Sequence, residues 1–328
     1  MPNRRDALRL AAAAAALPAL SAPGLARAPL AGGPTPPAFR VKVGAFEVTA
    51  VADGTLEIER ALLPGAEAAP ADADALLDRA FRPRGAAVRA MVNAFVVNGP
   101  ERTVLIDAGT APGFAPTLGR LPQNLRAAGV EPAQVDLVLL THLHPDHAGG
   151  LLDAAGAPVY PNAEILVRAA EHAFWHDDAA MNRAGEGARP FFEGARKALA
   201  PYAARTRRFD ADGEVAPGIA AVHLPGHTPG HTGFRVGTGA DALLVFGDLI
   251  HVPAWQFARP DWSVAFDTDP AQAAATRRRV LDMAAGERLR VAGMHLDLPA
   301  IGRVARAGAG AGAGSDGFAF VAESWAPF

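Results

Sequence analysis

The stretch Val135-Asp136-Leu137-Val138-Leu139-Leu140-Thr141-His142-Leu143-His144-Pro145-Asp146-His147-Ala148-Gly149-Gly150 runs from an apolar segment straight into four metal-capable side chains. The apolar part, 135–140, reads as a buried strand. In extended backbone, side chains two apart point the same way, so His142 and His144 can share one metal. Pro145 then turns the chain and re-aims Asp146 and His147 toward a second. Gly149-Gly150 permit tight turning. Imidazole and carboxylate suit zinc and similar divalent ions, and two cations about 3.5–4 Å apart form a hydrolytic device.

Two metals need more donors, and the chain supplies them in order. Pro225-Gly226-His227-Thr228-Pro229-Gly230-His231 is a Gly/Pro-braced loop that presents a histidine. Leu243-Leu244-Val245-Phe246-Gly247-Asp248 is a buried-type strand that ends in a carboxylate, and Gly293-Met294-His295 follows a short apolar stretch.

This set resembles the metallo-β-lactamase superfamily, whose pattern is HxHxDH, then His, Asp and His. The resemblance implies an α/β fold of the αβ/βα kind, two mixed β-sheets packed face to face and flanked by helices. It implies His142, His144 and His227 on one metal, Asp146, His147 and His295 on the other, and Asp248 between them. The two divalent ions are expected to be zinc, with manganese, cobalt or iron(II) as alternatives. Phe46 to Thr55, Pro116 to Leu121, Phe191 to Ala195, Gly226 to Thr232 and Gly247 to Ile250 look like the methyl parathion hydrolase branch, which is similar in turn to N-acyl homoserine lactone lactonases. The chain departs from that hydrolase at 251–255, His-Val-Pro-Ala-Trp, which bears on substrate more than on metal.

The resemblance further implies that Asp107, in the turn Asp107-Ala108-Gly109, supports the ligands through hydrogen bonds. His251, three residues after Asp248, reads either as a residue that lines the pocket or orients a ligand, or as a structural histidine. Phe114, Trp175 and Phe192 match an aromatic rim at the substrate entrance, which would favour an apolar or aryl group. His231 reads as a loop brace. His172 and His176 read as an exposed or rim pair, and His223 as structural.

Composition narrows the alternatives. At 328 residues, half of them hydrophobic, the chain can bury a sizeable core. The absence of cysteine excludes disulfides, thiolate metal sites and cysteine nucleophiles. Arg4-Arg5, the apolar stretch from Leu8 to Leu20 and Ala26-Arg27-Ala28 read as an export signal over 1–28, with twin-arginine delivery to the periplasm or exterior expected and the Sec route as the alternative. Its removal takes away four arginines and one acid, moving the formal charge from −3 to −6. An acidic mature chain argues against nucleic acid as partner, and the apolar run is too short for a membrane span. A small molecule is the expected partner, and the resemblance adds a homodimer.

The expected organisation is a flexible lead over 29–38 and one domain over 39–328, with a helical cap around 169–208. Strands are expected at 40–52 and 55–59 as a hairpin turning at Asp53-Gly54, and at 88–97, 103–106, 135–140 and 163–168. Helices are expected at 71–81, 116–128 and 268–285. A terminal hairpin pairs 301–306 with 318–323 around an Ala/Gly-rich tip.

The function expected is an exported dinuclear hydrolase of small esters, lactones or phosphotriesters, with a hydroxide between the metals as nucleophile and Asp146 as proton carrier. A dedicated N-acyl homoserine lactone lactonase is the enzymatic alternative, and a periplasmic metal-binding protein the non-enzymatic one. A nuclease or phosphodiesterase of the same superfamily is disfavoured by the acidic chain, which lacks the basic stripe such an enzyme would need.

Overall fold

Val104 and Ile106 face one side of their strand and Leu105 the other, and both sides are buried. The same holds for Leu137 and Leu139 against Val138. Such strands belong in the middle of a layered fold, covered on both faces. The computed structural model describes residues 37–308 and 317–326. The export-signal reading, most of the 29–38 lead and most of the Ala/Gly-rich tip fall outside them.

Two seven-stranded mixed sheets form the interior. The first runs in chain order through β1 (Ala38–Val43), β2 (Phe46–Glu59), β3 (Ala87–Asn98), β4 (Thr103–Ile106), β5 (Leu137–Leu139), β6 (Glu164–Arg168) and β7 (Thr206–Phe209). The second contains β8 (Gly213–Ala216), β9 (Ile219–His223), β10 (Thr232–Val236), β11 (Leu243–Val245), β12 (Arg290–Ala292), β13 (Ile301–Arg306) and β14 (Phe318–Ala322). Val48, Phe95 and Ile106 of the first sheet meet Phe234, Val245 and Val291 of the second in one core.

Helices α1 (Pro64–Ala68) and α2 (Pro70–Arg79) follow β2, and α3 (Leu121–Ala127) follows β4. A one-turn α4 (Pro145–Ala148) carries the metal-loop residues Asp146 and His147. The cap consists of α5 (Ala169–His176), α6 (Asp178–Ala184) and α7 (Arg189–Leu199), and it packs on the outer face of the first sheet in a second core. Gly185 and Gly187 lie in the break between α6 and α7. Short α8 (Pro253–Gln256) follows the Asp248 loop, and α9 (Pro270–Glu287), capped by the Asp269 side chain on Gln272 N, lies against β13. No helix among the described residues is long and apolar enough to cross a membrane.

Two local expectations are corrected. The first hairpin turns at Gly44-Ala45, and β2 runs straight through Asp53-Gly54 with only a register shift between Ala52 and Gly54. Asp53 is a buried anchor rather than a turn former: its carboxylate accepts from the backbone N–H groups of Thr110, Gly119 and Leu121. Gly54 is required because a Cβ there would lie 1.8 Å from the Thr117 carbonyl oxygen. The same anchor explains the second correction. Residues 116–120 are not helical, and α3 begins only at Leu121, whose N–H is held by Asp53 at 2.7 Å.

Candidate metal centre

Side chains that could hold metals leave the C-terminal ends of two parallel strand pairs. β4 and β5 are parallel in the first sheet, as are β11 and β12 in the second. Asp107 follows β4, the His142–His147 loop follows β5, Asp248 follows β11 and His295 follows β12. His227 comes from the loop between β9 and β10.

These residues meet in one cluster. The ligand atoms of His142, His144, His227 and Asp248 lie within 4.8 Å of one another, and those of Asp146, His147 and His295 form a second such group. Asp248 Oδ2 stands at the junction, 3.6 Å from His142 Nε2, 3.4 Å from His227 Nε2 and 3.2 Å from the Nε2 atoms of His147 and His295. Five of the histidines and Asp248 are almost completely buried, whereas the Asp146 side chain keeps 17% of its surface open.

The partners of the outer nitrogens fix the rings. His147 Nδ1 donates to Asp107 Oδ2 at 2.7 Å, and Asp107 also accepts from the Thr141 N–H and hydroxyl. Asp107 holds this position with φ at +60°, a left-handed conformation that a short polar side chain tolerates. His227 Nδ1 donates to Asp267 at 2.8 Å, and His295 Nδ1 to the Met91 carbonyl at 2.7 Å. His231 is placed outside both ligand groups: it donates to the Leu224 carbonyl, and its Nε2 accepts the Asp248 N–H at 3.0 Å. Gly247 has φ at +61°, and a Cβ there would stand 2.4 Å from that nitrogen.

The donor set fits cations. His227 Nε2 faces His142 Nε2 at 3.2 Å and His144 Nδ1 at 3.0 Å, so lone pairs converge with too few protons to separate them. His147 Nε2 and Asp248 Oδ1 are buried without a hydrogen-bond partner. Burial, with the neighbouring His147, pushes His142 well below the usual imidazole range, and burial with the neighbouring His227 does the same to His144, which keeps both neutral and ready to bind metal. Burial alone would raise the Asp248 carboxyl, but His147, His295, His251 and His142 around it hold it well below the usual carboxylate range. Imidazole and carboxylate without thiolate match zinc and its divalent neighbours.

His251 is inside the cluster. Its Nε2 lies 3.2 Å from Asp248 Oδ2, its ring stacks on His295, and burial pushes it down to about 4. The aromatic residues divide. Trp175 stands edge-on to His144 with ring centroids 5.3 Å apart and lines a cavity of about 520 Å³ that opens beside His144. Phe192 lines the same cavity, packed on Trp175 and Phe174 and 1% exposed. Phe114 is exposed and lines a different cavity. Phe191, and Phe266, which the sequence did not single out, face His144 at 5.5 and 6.3 Å. His172 and His176 stack on each other at 3.9 Å, outside the cluster. Tyr160 and Tyr202, the only tyrosines, are buried in the cap-side core and are not among the residues lining the cavity at His144.

The sequence also missed two carboxylates. Asp267 orients His227 and lies 3.8 Å from the buried Arg277 guanidinium. Glu171, on α5, is completely buried and accepts from Leu143 N, Trp175 Nε1, Thr228 Oγ1 and Gly230 N. Neither sits in a motif, and the only signal was an acid beside a functional segment. Asp267→Ala frees the His227 ring and is expected to weaken metal binding by about 10- to 100-fold. Competition with a chromophoric chelator measures this, and an unchanged affinity would remove Asp267 from the site.

Known proteins carry the same architecture. The sequence profile described as "Metallo-beta-lactamase superfamily" matches residues 87–295. An N-acyl homoserine lactonase from Bacillus sp. is 32% identical over 119 residues, covering 36% of this chain. The chain spans only 40% of the length of that relative. Among solved structures, "hydrolase AbOPH in beta lactamase superfamily" superposes with a TM-score of 0.81 at 29% identity, covering 88% of this chain and 98% of that one. AidC, described as a dizinc quorum-quenching lactonase in complex with a product, gives 0.79 at 26% identity over the same shares. With the profile covering more than half its length and the sheets, loops and donors arranged as above, the chain belongs to the metallo-β-lactamase superfamily.

Proposed function

We propose that the protein is an exported dinuclear zinc hydrolase of carboxylic esters and lactones with an apolar organic part, N-acyl homoserine lactones being the first class to test. One observation carries this reading: the donor cluster lies at the edge of a largely apolar cavity of about 520 Å³, with His144 in its wall beside Trp175, Phe191 and Phe266. The lactonase relatives support it.

His142, His144 and His227 would hold one cation and Asp146, His147 and His295 the other, with Asp248 shared. Such a pair supplies activated water near neutral pH and polarises the oxygen that gains charge. The chain's own residues do the rest. Trp175, Phe191 and Phe266 bind the organic part and exclude water from the reacting centre. Asp146, the ligand left partly open, is placed to carry a proton to the leaving group.

A second reading, aryl phosphotriesters, is favoured by the tyrosines. Tyr160 and Tyr202 are both in the core, and an aryl leaving group needs little protonation. Side-by-side rates of zinc-loaded protein on acyl homoserine lactones, an aryl ester and an aryl phosphotriester separate the two. Two bound metals with no turnover of any of these, aryl acetate included, would leave only a metal-binding role.

Trp175→Ala is expected to raise KM for bulky aryl or long-chain substrates by about 5- to 100-fold, and for a small ester far less. Because Trp175 is also 4% exposed and donates to Glu171, the same change should lower Tm. Equal KM changes for large and small substrates would remove it from the binding surface. The export part of the proposal rests on Arg4-Arg5 and Ala26-Arg27-Ala28. Mature protein should begin near Pro29, and Arg4→Lys with Arg5→Lys should hold precursor in the cytoplasm; periplasmic protein that still starts at Met1 would refute cleavage.

A further inference from the structure

Phe191 belongs to two cavities. On one side is the cavity of about 520 Å³ that reaches His144. On the other is a second, of about 450 Å³, whose walls include Leu143 and Pro145 of the metal loop, Phe114, and Gly194 from the next turn of α7. Phe191 lines both, and its half-buried ring is 5.5 Å from the His144 ring. The second cavity is mostly apolar, and the exposed Asp153 and Lys197 mark where it meets solvent.

Phe191 is thus the residue shared by two apolar volumes, one beside the metal ligands and one beyond them. Side-chain rotation of a partly exposed aromatic is a fast and modest motion. Gly194 is the other telling position. It sits three residues after Phe191 on the same face of α7, and a Cβ built there meets no atom within 4 Å. Helix propensity alone would favour almost any other residue at such a site. The glycine leaves the second cavity open.

We propose that Phe191 is a movable partition, and that an unbranched acyl or alkyl chain too long for the first cavity passes it and lies in the second. The protein would then select long-chain acyl substrates. This rests on the ester and lactone reading for the reaction, though not for the binding of the chain. Each methylene that reaches apolar lining should tighten binding about fourfold.

The test is calorimetric titration of the zinc-loaded full chain with octanoate and dodecanoate, alongside KM for acyl homoserine lactones of matching length. The unaltered protein is expected to bind dodecanoate at least about tenfold more tightly than octanoate. Gly194→Phe, which fills the second cavity without meeting another atom at its Cβ, should abolish that advantage and leave octanoate unchanged. Phe191→Ala, which removes the partition, should tighten dodecanoate further. A Gly194→Phe protein that keeps the full dodecanoate advantage overturns the proposal, as does an unaltered protein with no preference between the two acids. If the advantage collapses in Gly194→Phe while no lactone or ester is turned over by the unaltered protein, the cavity assignment stands and the reaction assignment falls.

Discussion

Asp248→Asn is expected to lose both metals' common support and nearly all turnover. The substitution keeps the shape of the side chain and removes a negative charge from the point where Nε2 atoms of His142, His147, His227 and His295 all lie within 3.2–3.6 Å of one oxygen. A neutral amide there cannot balance two cations, and its NH₂ group would present protons to atoms arranged to bind metal. The Asp248 N–H still bonds to His231 Nε2, so the loop itself should keep its place. The cations supply several kcal/mol of transition-state stabilisation, so turnover should fall by roughly 10³-fold or more. Metal analysis of dialysed protein should show well under two equivalents, with a circular-dichroism spectrum like that of the unaltered chain. Variant protein that retains two metals and a near-normal rate would show that Asp248 is not shared between them.

What could be read from the sequence was local. His142, His144, Asp146 and His147 fall within six residues at the end of an apolar run, so strand, loop and donor type are all visible in one window. Asp248 and His295 are visible for the same reason, each after a short buried strand. Residues whose role depends on distant partners were not visible. Asp53 reads as a turn because Asp-Gly usually is one, yet its bonds go to residues 57, 66 and 68 positions away. That tertiary demand overrode the local signal and also displaced the start of α3 to Leu121. Asp267 lies 40 residues from His227, and nothing in its own neighbourhood marks it as the partner of a metal ligand. In the cap, sequence could place two adjacent phenylalanines on a helix, but that both would line the cavity beside Trp175, and that Phe191 would also line a second one, depended on how that helix packs.

Glu171→Ala is expected to lower Tm by about 10 °C and to weaken the metal centre at the same time. Glu171 lies on α5, where an isolated acid normally faces water, yet it is completely buried. Burial raises its carboxyl, opposed by the bonds from Thr228, Trp175, Leu143 and Gly230. Those partners are three N–H groups and a hydroxyl, all able to donate, and such a set is satisfied best by an ionised acceptor. One carboxylate therefore ties together the metal loop at Leu143, the cap at Trp175 and the His227 loop at Thr228 and Gly230. Alanine would leave four donors without a partner. Each buried, unmet donor costs about 1–3 kcal/mol, and with partial relaxation a total of roughly 3–5 kcal/mol is expected. At about 2–4 °C per kcal/mol for a domain of this size, that is the shift in Tm given above. Glu171→Gln separates charge from shape. It keeps one acceptor oxygen but points an NH₂ at groups that already donate, so it should fall between alanine and the unaltered chain in both Tm and metal affinity. If instead Tm drops in both variants while zinc affinity stays unchanged, Glu171 holds the cap alone. If neither quantity moves, the loops around His144 and His227 are held by their own turns, and the buried carboxylate is not what joins them.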